Sequence, residues 1–206
     1  MFVAFEGGEG AGKSTQVVAL AAALRARGLD VLETFEPGDT MIGPDVRRLV
    51  LGHASAGLSP VAEALLYAAD RAEHVEAVLR PALARGAVVL TDRYVDSSLA
   101  YQGAGRPLDH DEVARLNTFA TGGLTPDLTV LLDLDPAQGL ARAGAEPDRL
   151  EVEPLEFHRR VRAQYLALAA ADPDRYVVID AAAPPDQVAA QVAAAVLARL
   201  PERTPR

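Results

Sequence analysis

Phe2-Val-Ala-Phe5 runs straight into Glu6-Gly7-Gly8-Glu9-Gly10-Ala11-Gly12-Lys13-Ser14-Thr15, and a helix-period segment carrying Val17, Leu20 and Leu24 on one stripe follows. A short apolar strand, a G-x-x-x-x-G-K-[ST] loop and a helix, in that order, form a phosphate-binding loop, or P-loop. Glycines let successive backbone N–H groups turn inward around phosphate oxygens, beside the positive end of the helix that begins where the loop ends. The pattern carries meaning only in that strand, loop, helix context, so it speaks for the fold as well as for the ligand.

On this reading the ATP-binding residues are Gly7, Gly8, Glu9, Gly10, Ala11, Gly12, Lys13, Ser14 and Thr15, with Lys13 reaching the β- and γ-phosphates and the Ser14 hydroxyl coordinating Mg²⁺. The competing reading is an ordinary glycine-rich turn ahead of a helix. Composition opposes it: the chain has 20 basic residues, and Lys13 is the only one that is not arginine. The drift towards arginine spared the one site that needs a compact, flexible ammonium instead of a planar fork. The same count removes the guanine-reading N-K-x-D motif of GTPases. Val88-Val-Leu-Thr-Asp92 ends in Asp-Arg, where motor and transport ATPases carry Asp-Glu. Asp92 is therefore expected to join Ser14 in the Mg²⁺ shell, and Arg93 to meet an anionic acceptor, with water activation not the task.

Short apolar runs alternate with helix-period segments along all 206 residues, without a linker, repeat or low-complexity tract, which reads as α/β with a parallel sheet. Strands are expected at Phe2 to Phe5, Val31 to Phe35, Ala87 to Thr91, Leu128 to Leu134 and Tyr176 to Ile179. Val188, Val192, Val196 and Leu200 mark a late helix by their spacing. Asp135 before Pro136 marks another as its N-cap, not as a catalyst. A single domain over 1–206 follows, with residues 201–206 as a frayed tail.

A net charge of −9 argues against nucleic acid or an anionic membrane as a partner. The absence of cysteine removes disulfides, thiolate metal sites and a thiol nucleophile, and His53, His74, His110 and His158 lack metal-ligand spacing. No basic n-region and no membrane-length apolar run is present, so the expected location is cytoplasmic.

Several ordered motifs resemble the bacterial thymidylate kinases over nearly the whole chain. The P-loop is similar to theirs, Glu36-Pro37-Gly38-Asp39-Thr40 resembles their E-P-G-G-T segment, and Tyr67-Ala-Ala-Asp-Arg71 resembles their F-x-A-x-R helix. Asp92-Arg93-Tyr94 with Ser97-Ser98-Leu-Ala-Tyr101-Gln102-Gly103 resembles D-R-Y-x-x-S-S-x-A-Y-Q-G, the most specific match. Asp148-Arg149-Leu-Glu151, ahead of Phe157 and Tyr165, is similar to the D-R-I-E end of their lid.

The resemblance implies a P-loop kinase three-layer fold, with a five-stranded parallel sheet flanked by helices and a short lid at about 142–151. It implies Mg²⁺-dependent transfer of the ATP γ-phosphoryl group to dTMP, in dTTP biosynthesis. The implied dTMP-binding residues are Glu9, Glu36, Tyr67, Arg71, Arg93, Ser97, Ser98, Tyr101 and Gln102. Glu9 faces the sugar 3′-hydroxyl, Tyr67 stacks on thymine, Arg71 and Gln102 meet the base edge with Ser98 nearby, and Arg93 clamps the acceptor phosphate. Taken from the residues alone, Tyr67 would sooner be a core side chain. Lys13, Arg93, Arg142 and Arg149 are the implied catalytic cations, and Arg149 is expected to act on turnover more than on affinity. A homodimer through helices around residues 60 to 80 and 95 to 120 is also implied.

The chain departs from the family pattern in three places: Phe35 stands before E-P-G, Asp39 replaces a glycine, and the lid keeps only two arginines, with Glu146 adding negative charge. Two alternatives remain: a kinase for another nucleoside or deoxynucleoside monophosphate, and a weakly active nucleotide-binding module.

Overall fold

Five parallel strands occupy the positions that the apolar runs mark. A computed structural model describes residues 1–55, 57–144 and 147–200; Glu146 and the tail at 201–206 lie outside the described residues. Strand β1 is Phe2–Glu6, β2 Val31–Phe35, β3 Val88–Asp92, β4 Leu128–Asp133 and β5 Tyr176–Asp180, so the expected limits hold to within a residue. The strand order is β2-β3-β1-β4-β5, every pair parallel. Both neighbours of β1 come from later in the chain, so the connections on its two sides leave in opposite directions. The crevice beyond the carboxyl ends of such strands is where open α/β sheets bind ligands. Register seats Phe5 beside Asp92, bringing the P-loop after β1 next to Asp92-Arg93 after β3.

Period-two alternation divides β1 between two cores. Val3 and Phe5 join Leu90, Val130, Leu132 and Ile179 under helices α1 (Lys13–Arg25) and α9 (Pro185–Leu197). The stripes Val17-Leu20-Leu24 and Val188-Val192-Val196 supply the helical side of this layer, while Leu200 lies past the end of α9 and is only partly buried. Phe2 and Ala4 face the other way, onto Val75, Leu79 and Tyr94. Tyr101, Phe157, Val161 and Tyr165 continue that layer over Leu131.

Helix α2 (Gly43–Leu51) and α3 (Pro60–His74) wall one side of the crevice. Ser59 starts α3 by accepting from the Ala62 amide, with Pro60 at the first helical position. The chain continues through a π-helical turn (Val75–Leu79) into α4 (Arg80–Ala84). After β3, α5 (Val95–Ser98), which ends in Ser97-Ser98, widens into a π-helical segment, Leu99–Gly105, which carries the L-A-Y-Q-G residues. Helix α6 is His110–Thr121, α7 Pro136–Arg142 and α8 Leu155–Ala171. Asp135 caps α7 as expected, its carboxylate accepting from the Ala137 and Gln138 amides.

Candidate active site

Gly12, at φ 88°, ends the P-loop in a left-handed turn that an L side chain would strain, and Lys13 opens α1. A Cβ on Gly10 would lie 2.1 Å from the Gly139 carbonyl oxygen, and one on Gly139 2.2 Å from that of Glu9, so loop and α7 meet backbone to backbone. Gly139 was not singled out from the sequence; a glycine inside a seven-residue helix was the available signal. The Lys13 ammonium bends over the loop, 3.1 and 2.9 Å from the carbonyl oxygens of Gly7 and Gly8. Burial, then the nearby Arg93 guanidinium, push its pKa below the usual lysine value. Ser14 Oγ donates to Asp92 Oδ2 at 2.5 Å, which sets two side-chain oxygens side by side at the loop mouth.

Arg93 is the only non-glycine residue with a left-handed backbone among the described residues, at φ 72°. Such a conformation costs about 1–3 kcal/mol and persists only where the surroundings over-determine it. Here its amide donates to Phe5 O at 2.9 Å, its carbonyl accepts from Thr91 Oγ1 at 2.9 Å, and the next amide, that of Tyr94, donates to Glu6 Oε1 at 2.8 Å. Fully buried Glu6 also accepts from the Ser97 amide, Ser97 Oγ and Tyr165 OH. Burial and the Asp96 carboxylate push it up to about 7. Sequence reasoning passed over Glu6 because only tertiary contacts reveal what it holds.

The Arg93 side chain reaches Glu9 Oε1 at 2.8 Å and Ser97 Oγ at 3.2 Å, lies over the Tyr101 ring, and shares Glu9 with the Tyr101 hydroxyl. Burial raises the Glu9 carboxyl, yet Arg93, Lys13 and Tyr101 together hold it down to about 2.

The far end of the crevice is framed by a buried ionic cluster. Arg71 directs Nε and Nη2 to Glu36, Nη1 to Ser98 and Asn117, and Nη2 also to the Tyr94 carbonyl. These four hydrogen bonds and the ion pair to Glu36 engage all three guanidinium nitrogens. Arg71, expected to meet a base edge, lines the crevice while these partners hold its guanidinium in place. Glu36 also meets His74 Nδ1, and His74 Nε2 meets Thr34 Oγ1, which donates to Asp39 Oδ2 at 2.6 Å. The carboxylate that replaces a family glycine is thus engaged by Thr34. Phe35 is half exposed with Arg47 over its ring, and Arg47, not singled out from the sequence, lines the crevice.

The crevice measures about 1050 Å³ and joins the two ends: Lys13, Ser14, Asp92 and Arg93 at one, and Tyr67, Arg71, Ser98 and Gln102 at the other, with Ser97 and Tyr101 between them. Tyr67 packs against the Tyr101-Phe157 cluster and lines the crevice as well, so both readings of it meet in one side chain. Arg142 lines the crevice with Nη1 on the Ala181 carbonyl. Arg149, expected over the transferring phosphoryl group, is instead buried: its Nε and Nη2 meet Val50 O, and Nη2 meets Glu63 at 2.5 Å.

Five parallel strands between helical layers, with a P-loop after β1 and an Asp-Arg pair after β3, define a P-loop kinase fold. A family model described as thymidylate kinase matches residues 5–192. The thymidylate kinase of Solidesulfovibrio magneticus is 56% identical, covering 93% of this chain and 96% of that protein. That of Deinococcus radiodurans is 55% identical, covering 97% of each. The crystal structure of the Ehrlichia chaffeensis thymidylate kinase matches with a TM-score of 0.78 at 32% identity, covering 95% of this chain and 98% of that one. The chain belongs to the thymidylate kinase family.

Proposed function

We propose that the chain transfers the γ-phosphoryl group of ATP to dTMP, giving ADP and dTDP. The observation that carries this reading is the shape of this crevice: a P-loop end with Lys13 and, paired with Glu9, Arg93, running continuously into an aromatic and amide-lined pocket. One P–O bond to ADP breaks and one to a dTMP phosphate oxygen forms. That oxygen is already anionic and the transition state is loose, so no general base is needed.

Lys13 and the P-loop amides hold the donor phosphates. Arg93 turns the acceptor phosphate towards the γ-phosphorus, and Arg142 adds positive charge from the start of the lid at about 142–151, of which residues 145 and 146 lie outside the described residues. Glu9 Oε1 is taken by Arg93 and Tyr101, leaving its other oxygen to accept from the sugar 3′-hydroxyl. Tyr67 stacks on the base, with Ser98 and Gln102 at its edge and Arg71 and Glu36 as their frame. Mg²⁺ fits the adjacent Ser14 and Asp92 oxygens, since this ion takes few protein ligands and completes its shell with phosphate and water. When bound, it neutralises charge on the phosphates.

No helix among the described residues is long and apolar enough to cross a membrane; the proposed location is cytoplasmic. The proposed homodimer would cover Val61 and Leu65, which α3 leaves more than half exposed.

The test is ADP formation with ATP and Mg²⁺ against dTMP, dUMP, dCMP, AMP, CMP, GMP and UMP. Turnover dominated by dTMP is expected. Preference for another monophosphate would keep the kinase and discard the base pocket; a folded protein that binds ATP and turns over no acceptor would leave a nucleotide-binding module. Arg149→Ala separates two roles for that residue. Its burial against Glu63 and Val50 O predicts a loss of about 3 kcal/mol in stability, read as a lower Tm. A variant with unchanged Tm and a collapsed kcat would return Arg149 to the phosphates.

A further inference from the structure

Glu63 lies one helical turn before Tyr67 and two before Arg71, so all three fall on one face of α3. Its side chain is 1% exposed, yet the sequence offers no motif for it. Both carboxylate oxygens are occupied. Oε1 accepts from Gln102 Nε2 at 3.0 Å and Arg106 Nε at 3.3 Å, and Oε2 from Arg149 Nη2 at 2.5 Å and Arg106 Nη2 at 3.3 Å. Burial opposes ionisation, but these donors hold the carboxyl below its usual pKa.

An ionised carboxylate has only acceptors, so the Gln102 group that faces it must be the NH₂. The orientation of this amide follows from its partner and needs no choice between nitrogen and oxygen. Gln102 Oε1 meets no protein donor among the described residues and is not sealed among the buried, unpaired polar atoms. Gln102 and Tyr67 both line the crevice, so this oxygen is left to whatever occupies the acceptor pocket.

We infer that Glu63 is a specificity-determining positioning residue: braced by Arg106 and Arg149, it fixes the Gln102 amide so that a carbonyl oxygen is presented to the acceptor base. The inference rests on the dTMP kinase reading and adds the means of base selection. An oxygen there accepts from the N3–H of a keto pyrimidine such as thymine. Cytosine carries a lone pair at N3, so oxygen would face nitrogen with no proton between them. A site built around one hydrogen bond discriminates strongly because a mismatch leaves a buried polar group unpaired. Arg149 gains a role of the same kind. Its amide donates to Leu51 O and its guanidinium to Val50 O, so it ties the end of α2 to Glu63.

The experiment compares kcat and KM for dTMP, dCMP and N3-methyl-dTMP in the wild type, Glu63→Gln and Glu63→Asp, with the KM for ATP and the Tm measured alongside. Glutamine at 63 can offer its own NH₂ to Gln102 and so permits the reversed amide. Expected for Glu63→Gln is a KM for dTMP raised roughly tenfold, a dTMP-over-dCMP preference reduced roughly tenfold or more, and an ATP KM and kcat close to wild type. Glu63→Asp should retain the preference. The wild type should use N3-methyl-dTMP roughly a hundredfold less efficiently than dTMP. A folded Glu63→Gln protein with unaltered base preference overturns the proposal. So does a wild type that accepts N3-methyl-dTMP as readily as dTMP, a result that requires no variant to fold. Absence of dTMP turnover in the wild type would instead sink the kinase reading itself.

Discussion

Lys13→Ala is expected to lower turnover by about 10²–10³-fold, or ~2.7–4 kcal/mol of transition-state stabilisation, with the protein still folded. The ammonium sits 2.9 Å from Gly8 O and 3.1 Å from Gly7 O, bent over the loop in which the donor phosphates are proposed to lie. Its charge is not duplicated by another lysine anywhere in the chain. Arg93 is the nearest cation that could compensate, but its guanidinium is tied to Glu9 and Ser97. Alanine is well suited to the first turn of α1, so the Tm should move little. The measurement is ADP formation at saturating dTMP and Mg²⁺. Turnover within about threefold of wild type, a difference below ~1 kcal/mol, would remove Lys13 from the transition state.

The strands and the phosphate cradle were legible because local sequence dictates them. Phe2-Val-Ala-Phe5 alternates between two cores and must be a strand, and Gly12-Lys13 needs a left-handed turn that glycine alone adopts freely. The Asp-Arg pair was legible for a similar reason, as charge at the end of a buried run. What stayed hidden depends on partners far away in sequence. Glu6 is the charged last residue of an otherwise apolar strand, and only its contacts with Tyr94, Ser97 and Tyr165, up to 159 residues distant, reveal that it supports the strained Arg93 backbone. Glu63 looks like an ordinary first-turn acid of α3 until Gln102, Arg106 and Arg149 close on it. Arg71 and Arg149 mark the limit of motif reasoning. Both positions stand out in the motifs, but a guanidinium engaged by buried partners, Glu36 and Ser98 for Arg71 and Glu63 and Val50 O for Arg149, acts through those neighbours, and a motif cannot report that engagement.

Glu6, Arg93 and Glu9 also show how the fold turns rigidity into positioning. Holding a reacting group in a near-attack geometry can supply ~7 kcal/mol or more of a barrier reduction, but only if the group is held firmly. The Arg93 backbone is fixed by the end of β1, by Thr91 and by Glu6, while its side chain is aimed by Glu9 and Ser97. The strain in that backbone is therefore sustained by a surrounding network that also aims the guanidinium.

Arg93→Gly exploits this arrangement, because glycine is at ease at φ 72° and the substitution removes the guanidinium while relieving the backbone. We expect kcat/KM for dTMP to fall about 10³-fold, since acceptor alignment and positive charge are lost together. Arg93→Lys should recover only part of this: it restores charge but not the fork, and it restores the strain. A second readout follows from Glu9. In the wild type its carboxyl is held at about 2 against an ordinary 4.5, so it contributes stability that is full above about pH 4.5 and fades as the pH falls towards 2. Without Arg93, its largest stabilising partner, the largely buried carboxylate keeps Lys13, Tyr101 and His158, its pKa rises, and that contribution shrinks from the acid side upward. Arg93→Gly should therefore lose Tm at a higher pH than the wild type on acid titration, even where relief of strain leaves the neutral-pH Tm nearly unchanged. A variant with normal kcat/KM for dTMP would show that the acceptor phosphate is held elsewhere. An unchanged acid limb would show that Glu9 does not depend on Arg93.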